Sequence, residues 1–314
     1  MYEQIARNKR RAVVYVLLFF VVWVGIGALI GFAVAATAAH PYGAVSPRTA
    51  DIVTGVVIAG LLALIGIAFS LRSGARLVLS VSGAHPADPH QYAQFHDIVE
   101  ALAIGEGIPK PAVYVIDDPS PNAFATGTSP DRAAITATTG LLSIMNREEL
   151  EGVIGHEMSH IKNYDVRLLL IVSTLIGMAG LLASLVWRSA FFMRPRGRNS
   201  GQVMLVVFAA GVLLAVVALI FGPIIRLALS RRREELADVS GVELTRNPAG
   251  LISALRKLQQ NDQPFAKFNH ATAAMCIDDP LQHHERWFHQ LFDTHPPISE
   301  RIAVLEQISE GQHV

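Results

Sequence analysis

Gly155-His156-Glu157-Met158-Ser159-His160 sits inside an apolar run with helical spacing. Residues four apart share one face of a helix, so His156 and His160 can point at one metal ion. Glu157 follows the first histidine directly, which lets its carboxylate reach a water on that metal. Zinc suits the pattern: imidazole ligands, low coordination number and one position left for water. The ion lowers the pKa of the water towards neutrality and the glutamate takes the proton. A pattern this short also arises by chance, so the rest of the chain has to support it.

The chain has 314 residues, 51% hydrophobic and 17% charged, with no net charge. The apolar residues are concentrated in blocks, which points to a membrane protein in contact with the lipid bilayer. Neutrality argues against a nucleic-acid partner. The single cysteine, Cys276, rules out an intramolecular disulfide and a CxxC metal site. No G-x-x-x-x-G-K-[ST] stretch occurs, so no ATP-driven step is expected of this chain.

Arg7, Lys9, Arg10 and Arg11 precede an apolar run from Ala12 to about Ala38. That run is too long for a signal-peptide core and reads as a retained transmembrane helix, despite the A-x-A pattern at its end. Gly27 and Gly31 form a GxxxG pair within it, a pattern that can mark a helix-packing face. Ile52 to Leu71 is a second run of spanning length, followed by Arg72 and Arg76. Basic residues before the first span and after the second put both ends on the cytoplasmic side.

Residues 73–165 read as a water-soluble region. Phe95, Ile98, Val99 and Leu102 share a helical face, ended by Gly105, Gly107 and Pro109. Ala112 to Ile116 reads as a strand. Asn122 to Thr126 and Ala133 to Thr138 read as two more, joined into a hairpin by a turn-rich linker. Asn146 with Glu149 is a capping box that opens the His156 helix.

Val166 to about Val186 and Gln202 to Ile225 are two further apolar runs, which read as a second spanning hairpin. The loop between them carries Arg188, Arg194, Arg196 and Arg198, against the positive-inside rule. A hairpin that does not fully cross is the alternative. The division expected is therefore 1–72, an N-terminal transmembrane hairpin; 73–165, the first part of the catalytic domain; 166–226, the second hydrophobic hairpin; and 227–314, the remainder of the catalytic domain. The fold class is a mainly α membrane protein with a zincin-like α+β domain and a small sheet.

A third metal ligand must come from elsewhere. Glu234 and Asp238 stand four apart in a helical, charged stretch and share a face. One of the two can bind the metal while the other accepts an N–H from a ligand histidine. Alone, Arg231 to Asp238 would read as a solvated charge cluster.

These residues together resemble the HtpX-type membrane zinc metalloproteases, in the wider family that includes the CAAX prenyl protease. The resemblance covers most of the chain: the basic N-terminus and first hairpin, Asn122 to Gly127, His156 to His160 with Asn163 and Asp165, Ser230 to Asp238, and Thr294-His295-Pro296-Pro297 with Arg301. It implies one zinc ion per chain, held by His156, His160 and Glu234. Glu157 is then the general base, and Asp238 supports His156. It further implies that His295 and Arg301 stabilise the oxyanion of the tetrahedral intermediate. The strand through Asn122, Ala123, Phe124 and Ala125 becomes the edge along which an extended polypeptide substrate lies.

The expected activity is a cytoplasm-facing zinc endopeptidase of the cell membrane, and the resemblance further implies that it removes unfolded or damaged proteins. A prenyl-protein or signal-type processing protease is the near alternative, and a non-catalytic membrane scaffold the distant one. Because the His156 helix runs almost directly into an apolar segment, the site is expected near the bilayer surface.

Overall fold

The computed structural model describes residues 2–37, 47–171, 231–260 and 297–310, with isolated positions between 174 and 211. The two apolar runs of residues 166–226 therefore fall largely outside the described residues, as does His295. The chain divides into two compact units. One holds residues 1–10, 73–173 and 225–314; the other holds residues 11–72 and 174–224.

The second unit is dominated by two long helices, α1 (Tyr2–Thr37) and α2 (Pro47–Val81), each of which continues into the first unit. Both are long and apolar enough to cross a membrane. Their apolar side chains point outward: Val21 and Ile65 are each 64% exposed. Such faces are costly in water and favourable in lipid. The helices meet through glycines. A Cβ on Gly27 would collide with the Gly55 backbone and with Ala59, and one on Gly31 with the backbone of Asp51 and Ile52. The GxxxG pair is thus a packing face, where the missing side chains let two backbones touch. α2 does not stop at Leu71 but runs on through Arg72 and Arg76 to Val81.

The first unit contains a four-stranded mixed sheet. Its strands are β1 (His85–Pro86), β2 (Ala112–Ile116), β3 (Ala123–Gly127) and β4 (Ala133–Thr138), in the spatial order β1-β2-β4-β3. β2 and β4 are parallel; β3 and β4 form the expected antiparallel hairpin, with Phe124 opposite Thr136. The helices described in full within this unit are α3 (Ala93–Glu106), α4 (Thr139–Ile144), α5 (Arg147–Lys162), α6 (Arg231–Thr245), α7 (Pro248–Gln260) and α8 (Ile298–Ser309), and residues 165–171 are helical as well. α3 ends at Gly107, whose φ of 67° is the left-handed conformation that glycine adopts without a steric penalty.

α5 is the central element. Its first turn is closed by the capping box: the Asn146 side chain accepts from Glu149 N, and the Glu149 carboxylate accepts from Asn146 N. A cap of this kind contributes about 1 kcal/mol. Glu149 is also held by Lys257 and Ser253 of α7, which fixes α5 to that helix. The side chains of Leu150, Val153, Ile154, Met158 and Ile161 are buried in a core shared with α3, the sheet and α7. Each contributes about 1.5–3 kcal/mol by leaving water. That core holds α5 rigidly and leaves His156, Glu157 and His160 to meet α6.

Candidate metal centre

His156 and His160 stand one helical turn apart, with ring centroids 4.7 Å apart and planes at 90°. Their Nε2 atoms face each other at 3.1 Å. α6 brings Glu234 in, with one carboxylate oxygen 3.6 Å from His156 Nε2 and the other 3.7 Å from His160 Nε2. Ligand atoms from all three side chains lie within 4.8 Å of one another, and all three are buried.

The opposite ring atoms explain this geometry. His156 Nδ1 lies 2.8 Å from Asp238 Oδ1, and His160 Nδ1 lies 3.2 Å from Asp165 Oδ2. A carboxylate accepts an N–H, so each neutral ring carries its proton on Nδ1 and turns a lone pair outward on Nε2. Two lone pairs facing each other at 3.1 Å make no hydrogen bond; a cation between them satisfies both. Ligand atoms around one tetrahedral zinc, bound at about 2.0–2.1 Å, lie about 3.3 Å apart. The observed spacing fits.

Charge points the same way. Glu157, Glu234, Asp165 and Asp238 are buried here with Arg233 and Arg301. Among the described residues, four carboxylates stand against two guanidinium groups, a setting to which a divalent ion is complementary. In the metal-free protein the same carboxylates favour a proton on His156. Burial and Arg301 both oppose the charged ring of His156, yet Asp238 and Glu234 outweigh them and hold its pKa at about 9. Burial likewise opposes the charge on Asp238, but Arg301 and His156 outweigh it and hold the carboxyl at about 2.

Arg301 reaches this cluster from α8. Its guanidinium forks onto Asp238, with Nε at 2.9 Å from Oδ2 and one terminal nitrogen at 2.7 Å from Oδ1. The same terminal nitrogen lies 3.4 Å from His156 Nδ1. It is therefore in the site, gripping the carboxylate that orients His156. β3, which carries Ala123, Phe124 and Ala125, is the outer strand of the described sheet, is fully buried and packs beside α5. Asn122 immediately precedes it and bonds to Thr138.

Sequence reasoning gives Asp165, Arg233 and the glycines no function of their own here. Asp165 lies five residues past His160, beyond a turn in which Tyr164 has φ of 61°. That turn brings the carboxylate back to the ring, and Arg233 adds a 3.2 Å bond to Asp165 Oδ1. Gly155 and Gly241 are where α5 and α6 cross. A Cβ on Gly241 would stand 2.8 Å from His156 N and 3.0 Å from Gly155 C, so only glycine lets the backbones come this close. Gly152 does the same for α7, where a Cβ would stand 2.7 Å from Leu251 N. The signal for Gly241 is its place seven residues after Glu234, two turns along the same face.

The profile described as "Peptidase family M48" matches residues 89–309. The chain belongs to that family. It is similar over 98% of its length to proteins named "Protease HtpX homolog". The one from Streptococcus mutans is 40% identical over 316 residues, and the one from Levilactobacillus brevis 40% identical over 313, each covered in full. Among solved structures it resembles S. mikatae Ste24p, with a TM-score of 0.51 at 16% identity, covering 98% of this chain and 67% of that one. That likeness is one of fold. As an M48 protein the chain is a metalloprotease of the HtpX type, and the His156, His160 and Glu234 cluster fits a metal on the geometry above.

Proposed function

We propose that this M48 chain is a zinc endopeptidase that acts at the cytoplasmic face of the cell membrane on unfolded or damaged proteins. The observation that carries the proposal is the pair of facing Nε2 atoms, each ring backed by a carboxylate, with Glu234 completing the cluster. His156, His160 and Glu234 would hold the ion, which when bound would supply an acidified water and a Lewis acid for the scissile carbonyl. Glu157, adjacent to His156 on α5, takes the proton of the attacking water and returns it to the leaving amine. Asp238 and Asp165 keep both rings in the tautomer that presents Nε2. Arg301 acts through Asp238, whose carboxylate it grips on the Nδ1 side of His156. His295 is assigned to the oxyanion of the tetrahedral intermediate.

The substrate is proposed to lie extended beside β3. Thr138 N donates to Asn122 O, which makes that pair a hydrogen-bonded one. By antiparallel alternation, the main-chain groups of Ala123 and Ala125 then point away from β4. Main-chain pairing there would give affinity with little sequence selectivity. The basic residues before the first apolar run and after the second support an orientation with both ends cytoplasmic. A multi-pass chain, with residues 166–226 crossing as well, is part of the same proposal.

The test is peptidase activity of the purified full chain against an unfolded protein, with zinc content measured alongside. Wild type should hold one zinc and cleave. Glu157→Gln should hold the same zinc and lose about 10²–10⁴ in rate. Equal cleavage by both would overturn the mechanism, and a wild type without metal would favour a scaffold.

A further inference from the structure

Among the described residues, those around the metal cluster come from α5, the segment just after it, α6 and α8, and in addition from the N-terminal end of the sequence. Asn8, near the start of α1, is 2% exposed. Its side-chain nitrogen donates to Asn163 O at 3.0 Å and to Asp165 Oδ1 at 2.7 Å. Asp165 in turn faces His160 Nδ1 with its other oxygen. One amide therefore uses both of its hydrogens on a single turn, bonding the backbone at the end of α5 and the carboxylate two residues later.

The arrangement has a mechanical meaning. Asp165 can orient His160 only if its carboxylate keeps one rotamer and the turn keeps one shape. The turn is strained, because Tyr164 adopts a left-handed φ of 61°. Asn8 fixes both ends of it at once. The neighbouring Lys9 ammonium adds a second grip, 4.2 Å above the Tyr164 ring. Arg233 also bonds Asp165 Oδ1, at 3.2 Å. An uncharged donor can share that oxygen with Arg233, whereas a cation in its place would draw the carboxylate's charge away from His160.

We propose that Asn8 is a positioning residue of the metal centre, which acts on His160 through Asp165. It rests on the reading of His156, His160 and Glu234 as metal ligands. It makes the first turns of α1 a working part of the protease and not only the lead-in to an apolar helix. α1 is a single helix from Tyr2 to Thr37, so Asn8 has little freedom to move apart from that helix.

The experiment uses the full chain, purified in detergent and loaded with zinc or with cobalt(II). Zinc affinity is read by chelator competition and ligand geometry by the visible absorption of the cobalt form. The thermal midpoint of the metal-free protein reports folding. Asn8→Asp keeps the shape and removes both donors; Asn8→Ala removes the side chain. Both should weaken zinc about 10–100-fold, the range for loss of a group that orients a ligand, and should change the cobalt spectrum. Arg7→Ala, at an exposed neighbouring position, should change neither.

A cycle with Asp165→Ala separates positioning from mere stability. If Asn8 acts through Asp165, adding Asn8→Ala to Asp165→Ala should cost no further affinity. Full additivity would overturn the proposal. So would Asn8 variants that bind zinc within twofold of wild type with an unchanged cobalt spectrum, or that lose zinc only because the metal-free protein has unfolded. A wild-type chain that binds no metal would instead sink the reading of the ligands themselves.

Discussion

Gly241→Ala adds a methyl group where α5 and α6 touch. The new Cβ would stand 2.8 Å from His156 N, against an ordinary contact that begins near 3.4 Å, so α6 must retreat by about 0.6 Å. The obstacle is backbone, which cannot swing aside as a side-chain tip can. Glu234 lies seven residues back on the same helix and moves with it. Metal sites tolerate about ±0.2 Å in ligand distance, so a shift of this size takes Glu234 out of register with the two histidines. Zinc affinity should fall about 10–100-fold. The cost to the fold is smaller. Overpacking costs about 1–3 kcal/mol, and alanine returns about 1 kcal/mol of helix propensity. Metal-free stability should therefore fall by no more than about 2 kcal/mol. Chelator competition measures the first quantity and urea unfolding of the metal-free protein the second. Gly105→Ala is the control, since its Cβ meets only the tip of Leu244, at 3.0 Å. If Gly241→Ala holds zinc as tightly as wild type, the crossing does not set the position of Glu234.

The metal-free protein should be most stable on the acid side of neutrality. The pKa of His156 is raised to about 9 from an ordinary 6.5, so its contribution is complete below about pH 6.5 and is lost as pH rises to 9. That loss is on the order of 3 kcal/mol and should appear in thermal unfolding across this range. Zinc must displace the same proton, so affinity should rise about tenfold per pH unit up to about 9; a flat profile would refute this. Asp238→Asn and Arg301→Gln should each weaken zinc about 10–100-fold and raise the rate of metal loss, read by dilution into chelator. Ala125→Pro removes one outward N–H from the outer strand, a position where proline is tolerated. It should raise KM several-fold for an unfolded substrate while zinc content stays at wild type.

Much of this molecule can be read locally. The capping box, the helix it opens, the left-handed glycine stop and the β3–β4 hairpin depend on neighbours a few residues apart, and the structure contains them all. The pairing of Glu234 with Asp238 follows from helical spacing alone. What escapes a local reading is whatever depends on where distant segments meet. Arg231 to Asp238 looks solvated because its charges look unpartnered in sequence, yet Arg233, Glu234 and Asp238 are buried among charges from α5 and α8. Gly241 looks like an ordinary interruption of a helix until the backbone of α5 lies against it. Arg301 carries the charge expected of it, but its bidentate grip on Asp238 depends on how α8 docks. Asn8 is separated from Asp165 by 157 residues, a distance over which no periodicity carries information.

That separation has a consequence for how the enzyme is made. The groups that meet at the cluster run from Asn8 to Arg301, and they include residues on both sides of the second apolar segment. A ribosome that adds about 5–20 residues per second takes about 15–60 s to travel between those two positions. Throughout that interval, His156 and His160 can emerge and their helix can form, but Asp238 has no Arg301 to hold it. A membrane-bound peptidase that matured early would be placed beside every unfinished chain entering the same bilayer. Here the order of synthesis itself withholds the grip on Asp238 until α8 has been made.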